Sequence, residues 1–323
     1  MALPILDVRH LSVSYPTPSG QLRAVSDLSL QISPGETVAL VGETGCGKST
    51  LALTLLGLLG SGQIESGEIL FNDLDLRKLK KRDWRKIRGG QIGLIFQDAR
   101  SALNPTLTVG AHLVEAMRAH QSLSRKQARA RSLEILSEAG IPEPHFQMRR
   151  YPFELSGGMC QRVCIALGIC NNPRLLVADE PTSALDPTIQ AQIIDLLERM
   201  KHRHSLSLLL ISHDLALVSE SAQRIAVMYH SRLVEFGPRG SVLTNPLHPY
   251  TRALKEAVPD LDHHRDSRPL AAVPGATPAP GEDFPGCPFV PRCRFSEPRC
   301  SQAFPEPSRV TDGHWAACIS EIR

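Results

Sequence analysis

Gly42-Glu43-Thr44-Gly45-Cys46-Gly47-Lys48-Ser49 spaces its glycines so that backbone N–H groups can turn inward around phosphate oxygens. Lys48 can neutralise the β and γ phosphates of a nucleoside triphosphate, and the Ser49 hydroxyl can ligate Mg²⁺. A helix expected from about Lys48 points its positive end at the anion. Asp179 ends the apolar run Leu175-Leu176-Val177-Ala178, where a carboxylate can hold Mg²⁺ through water. Glu180 follows and can orient or deprotonate an attacking water. Alone, an Asp-Glu pair reads as an acidic strand end. Downstream of a phosphate loop, and followed by Pro181-Thr182-Ser183-Ala184-Leu185-Asp186, it reads as hydrolytic. Gln97, after Ile92-Gly93-Leu94-Ile95-Phe96, can reach Mg²⁺ or the lytic water, and His213, after Leu208-Leu209-Leu210-Ile211, can donate to the γ-phosphate. Tyr15 can stack on a base or simply pack.

These residues need strands that end at one edge. Thr37-Val38-Ala39-Leu40-Val41 suits a buried strand, and Leu28-Ser29-Leu30-Gln31-Ile32 alternates. Residues 68–71 and 92–96 read as further strands. From Thr108 to Gly140 the period is helical, with Val109, Leu113, Met117, Leu133 and Leu136 at helix spacing and Gly140 as the stop. Ser156 precedes another helix through Ile169, after which strands and helices alternate over 174–229. This β-α alternation predicts a parallel sheet covered by helices.

The length of 323 residues allows a sizeable core and more than one domain. A net charge of +3 does not argue for nucleic acid, and Lys78-Leu79-Lys80-Lys81-Arg82 reads as a solvated loop or helix. Residues 1–20 carry no secretory signal pattern, and the uncharged stretch Ser49 to Gln63 is too short and Gly-rich to span a bilayer. The chain is expected in the cytosol, with any membrane contact made through a partner. Fourteen of the 25 prolines lie in residues 238–323, a segment expected to form neither long helices nor inner strands.

In order, the phosphate loop, Gln97, Leu155-Ser156-Gly157-Gly158-Met159-Cys160-Gln161, the Asp179-Glu180 pair, Ser183-Ala184-Leu185-Asp186 and His213 resemble the ATP-binding-cassette ATPases over residues 1–240. The resemblance implies an α/β fold of the P-loop NTPase cassette type: a RecA-like parallel-sheet core, an antiparallel β subdomain and a helical signature subdomain at about 98–170. It implies ATP contacts from Tyr15, from the loop Gly42 to Ser49 with Thr50, and from Gln97, Asp179 and Asp186, with Mg²⁺ at Ser49, Gln97 and Asp179. Glu180, His213, Gln97 and Lys48 take the catalytic roles. In that family two cassettes sit head to tail, so Ser156, Gly157 and Gly158 would cap the γ-phosphate held by a second subunit.

Phe96-Gln97-Asp98-Ala99-Arg100-Ser101-Ala102-Leu103-Asn104-Pro105, Asn245-Pro246-Leu247-His248-Pro249-Tyr250-Thr251 and Gly286-Cys287-Pro288-Phe289-Val290-Pro291-Arg292-Cys293 are similar to the oligopeptide/dipeptide/nickel importer subfamily. Ala99 departs where proline is common and Cys160 where a basic residue is common; neither touches phosphate chemistry. The subfamily implies a family-specific helix and linker at 241–286 (the linker itself from 259) and a small, loop-rich module at 287–323. It implies an ATPase subunit driving peptide uptake, peripheral on the cytoplasmic face of the bacterial inner membrane. Its partners would be a second, related but different cassette chain, two transmembrane permeases and a periplasmic binding protein, and no nucleic acid. Nickel, a metal chelate or a peptide siderophore is the rival cargo. A DNA-repair or translation cassette would carry coiled-coil insertions or tandem cassettes. A phosphate-loop kinase would have no use for Ser156-Gly157-Gly158.

Eight cysteines in a chain expected in the cytosol do not suggest disulfides. Cys287, Cys293, Cys300 and Cys318 cluster at the end, where a metal can supply what a proline-rich segment's core cannot. Zinc and an iron–sulfur cluster both accept four thiolates, and unrelated thiols are the plain alternative; the subfamily resemblance favours [4Fe–4S]. His314 is a spare ligand or an ordinary surface residue. Cys46 sits at a helix start, which lowers a thiol's pKa, so its alkylation is expected to block ATP binding.

Overall fold

A computed structural model describes residues 3–18, 20–183, 185–258, 273–279, 281–282, 284–311 and 313–319. β1 (Leu6–Thr17) and β2 (Gly20–Ile32) pair antiparallel. β3 (Thr37–Val41) leaves for a second sheet and delivers the glycine-rich loop to α1 (Lys48–Leu55). β4 (Gln63–Phe71) and β5 (Leu74–Asp75) return to the first sheet, giving the order β2-β1-β4-β5. α2 (Lys81–Ile87) then leads to β6 (Ile92–Ile95).

The next stretch is helical: α3 (Ala99–Ala102), α4 (Val109–His120), α5 (Arg125–Glu138), α6 (Pro144–Gln147) and α7 (Gly157–Ile169). The apolar faces expected from spacing do meet: Val109, Leu113, Met117 and Leu136 are buried in one cluster, and Leu133 packs against it only partly buried. The run from Thr108 to Gly140 is broken, however. Ser124 and Gln127 form a reciprocal capping box that starts a new helix after Gln121. Side-chain/backbone satisfaction outweighs continuation of the helical period there.

β7 (Leu175–Asp179), α8 (Pro187–His204), β8 (Ser207–Ser212), α9 (Leu215–Ser219) and β9 (Arg224–Tyr229) complete the alternation. β3 runs parallel to β8 and β9, and β7 runs parallel to β6 and β8. Every residue of β3, β7 and β8 is buried, as strands covered on both faces require. Their carboxyl ends line up: Val41 is level with Ser212, Asp179 with Ile211 and Ile95 with Ala178. The loops that leave these ends therefore share one edge of the sheet, where ligands of open α/β folds sit.

β10 (Arg232–Pro238) turns back antiparallel on β9 and is followed by α10 (Arg239–Thr244) and α11 (Pro249–Glu256). β11 (Ser308–Thr311) and β12 (His314–Ala316) extend the large sheet, whose order is β11-β12-β10-β9-β3-β8-β7-β6. This corrects the expectation of no inner strand in the proline-rich segment. β12 lies between β11 and β10 because its three residues include no proline and can pair on both sides. The prolines instead start one-turn helices at Val290–Arg292 and Pro298–Ser301. Of the expected linker 259–286, residues 259–272, 280 and 283 lie outside the described residues.

The end of the chain is fastened from inside. Glu235 on β10 is 0% exposed and accepts from Leu247 N at 2.9 Å, His248 N at 2.8 Å and His314 Nε2 at 2.8 Å. His314 is only 2% exposed, so it is neither a surface residue nor a spare ligand: its ring is committed to a buried carboxylate. Phe289 packs edge-on against Tyr229 at 5.2 Å and tilted against Tyr250 at 5.5 Å, tying the cysteine-bearing segment to β9 and α11.

Candidate nucleotide-binding site

The loop between β3 and α1 can be built only with glycine at its two pivots. A Cβ on Gly42 would lie 2.1 Å from the Met228 carbonyl oxygen, and one on Gly47 would lie 2.0 Å from that of Ala24. Gly47 also holds φ +107°. Lys48 is 4% exposed, and its ammonium folds back to donate to Gly42 O at 2.7 Å and Glu43 O at 3.0 Å. The cation is thereby held over the loop where phosphate oxygens would lie.

Three neighbouring strand ends supply the rest. Ser49 Oγ donates to Asp179 Oδ1 at 3.1 Å, so the hydroxyl and carboxylate that can hold Mg²⁺ are already in contact. Burial raises the Asp179 carboxyl above its ordinary range, a shift the Ser49 hydrogen bond opposes and the neighbouring Glu180 charge reinforces. A divalent cation would relieve that burial cost. Glu180 is buried and holds φ +45°, a left-handed conformation rare for a side-chain-bearing residue. Its backbone N–H donates to Ile211 O at 3.0 Å. Its carboxylate accepts from Gln97 Nε2 at 3.0 Å, and it lies 3.3 Å from His213 Nδ1 and 3.9 Å from Lys48 Nζ. Ser183 Oγ donates to Gln97 O at 2.8 Å, which couples the loop after Glu180 to the loop after β6.

Tyr15, Thr44, Gly45, Gly47, Lys48, Ser49, Thr50, Gln97 and Glu180 line one cavity of about 240 Å³. Leu22, Arg23, Ala24, His230, Ser231 and Gly281 line it too, and sequence reasoning missed them. These come from β2, from the turn after β9 and from the C-terminal segment, and no local motif marks them. Glu43 and Cys46 are not among the described residues that line this cavity. Cys46 corrects an expectation: its thiol is 4% exposed and burial pushes its pKa up, outweighing the nearby Lys48 charge. It is a buried, protonated thiol rather than an activated one.

Ser156, Gly157 and Gly158 lie elsewhere. Ser156 caps α7 by accepting from Met159 N at 3.3 Å, and its hydroxyl is exposed. With Gln97, Asp98, Ser183, Leu185 and Asp186, these residues line a separate cleft of about 870 Å³. Among the described residues, Gln97 is the one common to the two cavities. Asp186 Oδ1 caps α8 by accepting from Ile189 N, and Ala184 is outside the described residues.

Near the C-terminus, Cys287 N donates to Cys300 O at 2.8 Å, and Cys287 Sγ is 4.0 Å from His248 Nε2. Burial pushes the Cys287 thiol up to about 12. Among the described residues no three His, Cys, Asp or Glu side chains are close enough to form a metal-holding group, and no cysteine is in a disulfide.

A parallel sheet whose edge carries a glycine-pivoted loop, a Ser–Asp contact for Mg²⁺ and a strained Glu met by Gln and His defines a P-loop ATPase of the cassette class. Residues 25–183 match the ABC transporter family, and residues 234–300 match the oligopeptide/dipeptide transporter C-terminal region. The dipeptide transport ATP-binding protein DppD of Bacillus subtilis is 42% identical over 97% of this chain and 94% of its own length. A putative peptide import ATP-binding protein of Brucella abortus is 43% identical over 98% and 94%. The dimeric cassette MJ0796 bound to ADP and Pi superposes with a TM-score of 0.66 at 27% identity, covering 72% of this chain and 98% of that one. The cbiO1 structure from Clostridium perfringens, part of a cbiONQ transporter complex, gives 0.64 at 28% identity, covering 75% and 91%. The chain belongs to the ABC transporter ATP-binding proteins and is an ATPase of that family. Among the described residues no helix is long and apolar enough to cross a membrane.

Proposed function

We propose that this chain is the ATP-hydrolysing subunit of a bacterial importer of di- or oligopeptides. The observation that carries the reading is the relatedness of the whole chain, including the match at 234–300, to proteins named for dipeptide transport and peptide import. ATP binds on the phosphate loop with Mg²⁺ at Ser49, Gln97 and Asp179. Glu180 takes the proton of the attacking water, and His213 and Gln97 hold that carboxylate and sense the γ-phosphate. Ser156–Gly158, lying in a different cleft from Lys48, close the site of a second, related cassette in a head-to-tail pair. The partners are two permeases and a periplasmic binding protein, with this subunit on the cytoplasmic face of the inner membrane. Apolar side chains left in solvent support a membrane-protein partner: Phe96, beside Gln97, is 45% exposed, and Phe153, stacked on Tyr151, is 74% exposed. Reconstituted with permeases and a binding protein in proteoliposomes, the chain is expected to drive ATP-dependent uptake of labelled dipeptide. ATP-dependent uptake of nickel or a chelate with none of peptide would reject the peptide reading.

Cys287, Cys293, Cys300 and Cys318 would hold a [4Fe–4S] cluster. Support comes from the donor chemistry, four free thiols on a segment with little apolar mass of its own. A cluster would brace the one-turn helix that carries Cys300 and the one that ends at Cys293. Protein purified without oxygen is expected to contain about four iron atoms per chain and to be brown, and Cys293→Ser to lose the colour. A colourless wild type with one zinc would assign the site to zinc instead.

A further inference from the structure

Glu43, the first residue inside the phosphate loop, is gripped from a point 249 residues away in sequence. Arg292 lies on the one-turn helix between Cys287 and Cys293, and its side chain is 4% exposed. Its guanidinium meets the Glu43 carboxylate with both prongs, Nη1 to Oε2 at 2.8 Å and Nη2 to Oε1 at 3.0 Å. Its other donors are used as well: Nη1 also reaches Tyr229 Oη at 3.2 Å, and Nε donates to Pro274 O at 2.6 Å. Thr277 Oγ1 donates to the same carboxylate at 2.9 Å, and the Glu43 N–H donates to Tyr250 Oη at 2.9 Å. Every one of these partners lies on β9 or C-terminal to it. The Glu43 carbonyl, in turn, accepts from Lys48 Nζ at 3.0 Å.

A planar, bidentate Arg–carboxylate pair, its guanidinium buried and its carboxylate partly so, is a strong contact with fixed geometry. Its place is unusual, because a loop built to attract a triphosphate carries a carboxylate one residue from its first pivot. Burial alone would raise the Glu43 pKa, yet hydrogen bonds from Arg292 and Thr277 and the charges of Arg292 and Lys48 hold it below its ordinary value. The group is therefore an anion, and a bare anion there would repel ATP.

We propose that Arg292 is a positioning residue for ATP binding, whose guanidinium cancels the Glu43 charge beside the phosphate loop. Arg292 thereby acts on the nucleotide site through Glu43, without lining the nucleotide cavity itself. The proposal rests on the phosphate loop binding ATP as described above. The test is equilibrium binding of Mg²⁺ with a fluorescent ATP analogue to the full chain, with circular dichroism confirming the fold. Arg292→Ala is expected to weaken binding about tenfold or more. Adding Glu43→Gln to that variant is expected to restore most of the loss, because the repelling charge is gone although the clasp is still missing. Arg292→Gln, shorter but neutral, planar and able to donate hydrogen bonds, replaces Arg292→Ala should the latter not fold. Unchanged affinity in a folded Arg292 variant, or a double variant as weak as the single one, would overturn the proposal. Wild-type chain that binds no nucleotide would instead overturn the reading of the loop, which separates the two failures.

Discussion

Glu180→Gln is expected to cut steady-state phosphate release by at least about a hundredfold while ATP stays bound. The amide keeps the size and shape of the carboxylate, so it can still meet Gln97 and His213, 3.0 and 3.3 Å from the native oxygen. What it loses is the ability to take a proton from water. It also lifts a negative charge from within 3.9 Å of Lys48, which favours rather than opposes a bound triphosphate. The variant is therefore expected to accumulate with ATP in place and, mixed with the second cassette chain proposed above, as the closed pair. Size-exclusion chromatography in ATP, with the nucleotide content of the associated peak, reads this directly. Turnover equal to wild type would remove Glu180 as the base and leave its backbone strain, φ +45°, without a catalytic reason.

What could be read from sequence, and what could not, divides by distance along the chain. Lys48, Gln97, Asp179, Glu180 and His213 each begin or end an element whose apolar run is visible, or follow one within two residues, and parallel pairing of those strands then brings the ends together. Local chemistry plus one topological rule sufficed for that edge. Cys46 shows the limit of local reasoning. A helix start was visible, but the burial that dominates its pKa is set by packing that no neighbouring residue announces. His314 and Arg292 show the other limit. Their partners, Glu235 and Glu43, lie 79 and 249 residues away, and nothing in a short window links such charges. The chain-end strands follow the same logic. Proline density argued against an inner strand, yet β12 needs only His314-Trp315-Ala316 free of proline, and the buried Glu235 supplies the anchor that holds it beside β10. The break after Gln121 was in principle legible, since Ser124 and Gln127 have the spacing of a capping box, but a continuous apolar period masked it.

Lys48→Ala is expected to weaken MgATP binding by at least about a hundredfold, roughly 3 kcal/mol. In the native loop the ammonium is not idle before nucleotide arrives. It spans Gly42 O and Glu43 O at 2.7 and 3.0 Å and offsets Glu180 at 3.9 Å. Removing it takes away the cation that meets the phosphates and leaves two inward carbonyls and a buried carboxylate facing them, so the loss exceeds that of one contact. This distinguishes it from the Arg292 variants. There the repelling charge is a single side chain, and neutralising Glu43 is expected to restore affinity. Here the repelling groups include backbone carbonyls, so Glu43→Gln added to Lys48→Ala is expected to recover little. Titration of a fluorescent ATP analogue against both double variants measures the contrast. Affinity of Lys48→Ala within threefold or so of wild type would mean that the loop does not hold phosphate through this lysine.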